Sequence, residues 1–142
     1  MDWSGVETEL PQLPGNEPWQ QTVARLGDER RVWTGLSNHV IPGKEVADLL
    51  TRTLDQLKKD GWGPDTSAES ALFQAAGKDI DVCHVAIRLL NLMVAVRSGS
   101  YIGVTLFAFA GWEGRRGRTF QEVSELLNEA ISFARVHGAQ GN

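Results

Sequence analysis

A chain of 142 residues and 15.6 kDa, 42% hydrophobic and 23% charged, has the size of one domain that buries roughly two thirds of its unfolded surface and is too apolar for wholesale disorder. Its net charge of -4 is carried by the first 18 residues, where Asp2, Glu7, Glu9 and Glu17 meet no Lys or Arg, so the remainder is balanced. A general nucleic-acid surface, which needs a basic excess, is therefore not expected.

Residues 1–15 read as an acidic, Pro-containing extended tail, and 16–142 as one helical domain. Trp3, Leu10 and Leu13 of the tail are candidate contacts for a partner, as is Trp112 farther on. Asn16 is a suitable N-cap, Pro18 suits a first helical turn, and Trp19, Val23 and Leu26 recur at i, i+4 and i+7 before Gly27, which predicts a helix of about ten residues. The VWTGL that follows fits an extended connection or a short strand.

Pro42 and Gly43 open a second helix over 44–60, with Val46, Leu49, Leu50, Leu54 and Leu57 on one face and Lys58 and Lys59 at the end favoured by the helix dipole. Gly61 is expected to end it in a left-handed turn that folds Trp62 back on the last turn. Thr66 or Ser67 then caps a short alanine-rich helix ending at Gly77.

Residues 80–97 are apolar nearly all the way round, the pattern of a helix buried on every side. Asp81, His84, Arg88 and Asn91 interrupt it, spaced three and four apart so that they share one face. Water, a neighbouring chain or the turn from Trp112 to Thr119 is expected to cover that stripe. From 101 to 110 the alternation of aromatic and β-branched residues allows a short extended segment or strand, and the lack of a partner strand allows a buried helix. Thr119 and Glu122 form a capping box for a last helix over 120–137, stopped by Gly138.

Two constellations hold candidate chemistry. Arg115, Arg116, Arg118 and Thr119 lie in a glycine-rich loop at a helix N-terminus, an arrangement able to hold an anion. The loop lacks the spacing of a Walker A motif, and the simpler reading is a solvated turn with Arg115 or Arg116 paired to Glu113 or Glu122. In the polar stripe, Asp81 can orient His84 beside Arg88, an acid-base arrangement in principle. No second reacting group accompanies it, so the stripe reads more simply as a solvent edge or the polar seam of an oligomer.

The single cysteine, Cys83, reads as a small core residue. With His39, His84 and His137 it provides no zinc-ligand spacing. No metal, cofactor or catalytic set is expected. Neither a signal peptide nor a membrane span is read in the chain, and one cysteine suits a reducing compartment, so a cytoplasmic protein is expected.

From Val46 to Ala134 the chain resembles a small helical family of unknown function found in actinobacteria and their phages. The likeness rests on Gly61-Trp62, the ALFQAAG helix, AIRLL, Trp112, Gly117-Arg118-Thr119, and Glu122, Val123, Leu126 and Leu127. Glu113-Gly114 replaces the family's Asn-Asp pair, and its cysteine before the short helix is absent here. The resemblance implies a helical fold and a phage or actinobacterial setting, and no activity. The expectation is thus a mainly α, compact single-domain bundle around the 80–97 helix, with the 44–60 and 120–137 helices packed on it. It would act as a non-enzymatic protein-binding or regulatory module through a protein partner or as a homo-oligomer, or alternatively as an anion or nucleotide binder.

Overall fold

The computed structural model describes residues 18–99 and 107–140. Trp3, Leu10, Leu13, the Asn16 cap and the 101–106 part of the alternating stretch lie outside the described residues. Six helices follow in order: α1 (Trp19–Glu29), α2 (Gly43–Asp60), α3 (Ala68–Ala76), α4 (Ile80–Arg97), α5 (Ala108–Glu113) and α6 (Phe120–His137). Among the described residues there is no strand, only isolated bridges such as Thr34 to Val40 and Pro42 to Ala139. The protein is a mainly α, compact helical bundle.

α4 touches each of the other five helices. Apart from Ile87 and Arg88, every residue from Val85 to Val96 is buried, as an apolar circumference requires. Asp79 caps its first turn through Val82 N–H. The most extensive helix pairing is nevertheless between α2 and α6, which meets α4 more lightly. Glycines explain the closeness at one end of that pair. A Cβ on Gly43 would fall 2.1 Å from the Ala134 carbonyl oxygen, and one on Gly138 would fall 2.4 Å from Gly43 Cα. The two backbones touch there, and Gly43 N–H donates to the Ala139 carbonyl at 2.8 Å. Gly138 therefore serves a close approach, and its φ of -72° is ordinary.

α1 runs two residues past Gly27, to Glu29. Val32 N–H reaches back to the Gly27 carbonyl and Arg31 N–H to that of Asp28, the paired bonds of a Schellman ending with Arg31 at φ 55° in the place usual for glycine. Trp62 does not fold back on α2. It stacks on Phe120 of α6 at 6.3 Å and donates its indole N–H to Glu113, because Gly61, at φ 91° and ψ 155°, leaves the helix in an extended rather than left-handed helical turn. Residues 108–110, within the stretch that allowed an extended segment, are helical. At the other end of the bundle the Arg97 guanidinium lies over the Trp19 ring at 4.9 Å and pairs with Glu129 at 2.6 Å, tying α1, α4 and α6 together.

Candidate functional site

Three of the four residues of the polar stripe bind backbone, Asp81 and Arg88 that of the connection after α1 and Asn91 that of α5. Asp81 accepts from both the N–H and the hydroxyl of Ser37. Those hydrogen bonds, the hydroxyl's first, hold its carboxyl below the usual range. Arg88 donates to the carbonyls of Arg30 at 2.6 Å, Arg31 at 3.0 Å and Thr34 at 3.3 Å, placing a cation on the exposed carbonyls at the end of α1. Asn91 is buried, and its carbonyl oxygen accepts from Phe109 N–H at 2.9 Å in the first turn of α5. What covers the stripe is therefore the connection between α1 and α2 together with α5, not the turn from Trp112 to Thr119. That connection approaches so closely that a Cβ on Gly35 would lie 2.8 Å from the Asp81 side chain. Only His84 faces elsewhere, into a cleft described below.

The arginine loop is also tied to the fold. Arg118 is 7% exposed, lies over the Trp112 ring at 4.2 Å, donates Nε–H to the Trp112 carbonyl at 2.8 Å and pairs with Glu122 at 3.0 Å. Thr119 and Glu122 form the full capping box of α6. Burial works against ionisation of Glu122, but the Thr119 hydrogen bonds and the Arg118 charge outweigh it and hold its carboxyl below the usual range. The helix N-terminus expected to receive an anion thus has a carboxylate of its own. Arg115 and Arg116, with Arg118, line a cavity of about 450 Å³ whose other walls include Trp62, Pro64, Glu69 and Glu113.

Glu113, in sequence a candidate partner for Arg115 or Arg116, is a structural centre of the fold. At 6% exposure its carboxylate accepts from Trp62 Nε1–H, from Ala68 N–H and, at 3.3 Å, from Glu69 N–H. With Ser67 Oγ accepting from Ser70 N–H, α3 has three of its first backbone donors satisfied by side chains. Burial and the charge of Glu113 raise the Glu69 carboxyl above its usual value.

A different region gathers exposed apolar groups. Leu36 (62% exposed), Phe73 (55%) and Ile80 (62%) line a cleft of about 280 Å³ whose other walls are Ala76, Cys83, His84 and Ile87. It opens between α3, the first two turns of α4 and the connection that Asp81 and Arg88 hold down. Burial, then the neighbouring Arg88, lower the pKa of His84 and favour its neutral form. Burial, then Glu69 and Asp79, raise that of the Cys83 thiol, which keeps it protonated and unreactive.

No sequence reading singled this cleft out, though a signal exists. Ala68, Ala71 and Leu72 form the buried stripe of α3, and Phe73 stands 100° round the helix from Leu72, outside the stripe. Ile80 is the first residue of α4, at the edge of its apolar cylinder.

Among the described residues no group of His, Cys, Asp and Glu is placed to hold a metal ion, and no helix is long and apolar enough to cross a membrane. In comparisons with known proteins, no protein-family model, curated protein or solved structure matches the chain. The motif residues that carry the sequence resemblance can still be located in the fold. Several of these, Trp62, Trp112, Arg118, Thr119 and Glu122, are neighbours in one packed unit.

Proposed function

We propose that the protein is a non-enzymatic binding module that receives an apolar segment of a protein partner in the Leu36, Phe73 and Ile80 cleft. The observation that carries this is the convergence of three large, mostly exposed apolar side chains on one concavity. Solvent-exposed apolar groups concentrated in one patch mark interaction surfaces, whereas scattered ones do not. His84, the titratable side chain in its wall, is held toward the neutral form by burial and by Arg88, and Asp81 and Arg88 beside it on α4 already bind backbone, so the cleft recognises shape and apolar surface rather than charge.

The reading is tested by selecting a displayed library of amphipathic helical peptides against the protein, since such peptides use apolar anchors in grooves. Peptides enriched by the native chain are expected to be lost to Phe73→Glu and Ile80→Lys. Binders indifferent to both substitutions, or no enrichment at all, would count against it. The anion-binding alternative relies on Arg115 and Arg116, because Arg118 and Thr119 serve the loop and the helix cap. A phosphate and nucleotide thermal-shift series is expected to leave the melting temperature unchanged, whereas a ligand at about 100 times its dissociation constant would add about 2.7 kcal/mol of stability.

A further inference from the structure

Building on the protein-binding reading, we propose that the cleft's occupant is a second copy of this chain, in a two-fold dimer in which Phe73 and Ile80 of each copy enter the cleft of the other. The feature that points to a copy of itself is the adjacency of projection and recess. Phe73 and Ile80 stand more than half exposed at the rim of the same cavity they line. A two-fold axis through that rim sets each projecting pair over the opposite recess, the self-complementarity an isologous interface demands. The cavity, about 280 Å³, exceeds the roughly 150 Å³ that admits a benzene ring. It has room for the Phe73 ring.

Area and charge fit the same arrangement. Leu36, Phe73 and Ile80 each leave on the order of 100 Å² in water, given side chains of this size. Together they make an apolar centre for an interface that buries about 800 Å² per partner. Exposed polar residues flank the lining residues along the chain, Asn38 and His39 after Leu36 and Lys78 and Asp79 between Gly77 and Ile80, the composition a rim needs. Lys78 and Asp79 are adjacent and of opposite sign. Close to a two-fold axis, the lysine of one copy meets the aspartate of the other.

The test uses the full chain. Light scattering across a dilution series is expected to show twice the 15.6 kDa monomer mass at high concentration, falling to the monomer on dilution. Phe73→Glu and Ile80→Lys, both at exposed positions where folding is not at stake, are each expected to weaken self-association by about 30-fold or more, the loss of a hot-spot side chain. Amide shifts that change with concentration should fall on Leu36, Phe73, Ile80 and His84. A monomer at every soluble concentration, a dimer that survives both substitutions, or shifts confined to another face would each overturn the proposal. A monomer whose cleft still selects helical peptides would do so while leaving the protein-binding reading intact, and failure of both experiments would remove both.

Discussion

Two glycines show how differently the same residue type is used. Gly43 has ordinary backbone angles to adopt but no room, with the α6 backbone where its Cβ would be. Gly43→Ala is expected to cost about 3 kcal/mol, since rigid backbone must move aside, and urea unfolding measures it. Gly61 has room on every side but sits at φ 91°, so Gly61→Ala should cost only about 1 kcal/mol of backbone strain. Equal losses would show that the contact between α2 and α6 is looser than described. Arg31 presents the converse case, a side chain at φ 55° where glycine would be free of strain. Arg31→Gly is expected to raise stability by about 0.5–1 kcal/mol, and a lower unfolding midpoint would contradict the Schellman ending assigned to α1.

At the scale of elements, the helices differ in who satisfies their ends. α6 supplies its own cap through Thr119 and Glu122, whereas α3 borrows the Glu113 carboxylate from α5 and α5 borrows Asn91 from α4. The energetic consequence follows from burial. Thr119→Ala removes a partly solvated cap and is expected to cost about 1 kcal/mol. Asn91→Leu leaves the Phe109 N–H without its partner inside the protein, a loss of about 1–3 kcal/mol. Amide exchange separates the two, because Asn91→Leu should speed exchange at Phe109 and along α5 while leaving α6 protected. Uniform acceleration over the whole chain would contradict a local role.

For the whole molecule, His84 and Asp81 shape the pH dependence of stability at its upper and lower ends, with the lowered Glu122 acting in the same sense as Asp81 and the raised Glu69 opposing it. The fold favours neutral His84, so the unfolded chain takes up that proton first as pH falls. Stability should therefore decline as pH drops from neutrality through the usual histidine value of about 6.5. Asp81 is held ionised, and its contribution is present above the usual aspartate value and lost as pH falls through the lower value in the fold. His84→Gln is expected to flatten the upper decline and leave the lower one. Urea midpoints at a series of pH values measure this, and an unchanged upper slope would refute the part assigned to His84.

The helices themselves were legible in the chain because their causes are local. Thr119 is a cap, an aspartate at 79 or 81 is at hand to cap α4, Lys58 and Lys59 suit a dipole, and apolar spacing marks the faces of α2 and α6, so the bounds of α2, α4 and α6 agree with the pattern to within a residue. Sequence also placed Asp81, His84, Arg88 and Asn91 together on α4, since helical geometry fixes which residues are neighbours along one cylinder. It did not reveal what they face. Ser37 lies 44 positions from Asp81, and the carbonyls that Arg88 binds lie 54 to 58 away, so periodicity carries no record of those bonds. The same separation hid the buried role of Glu113 and the cleft of Leu36, Phe73 and Ile80, three residues that no local spacing relates. Only packing decided which polar groups the fold consumes and which apolar ones it leaves in water, because burial depends on the surfaces that arrive from distant parts of the chain.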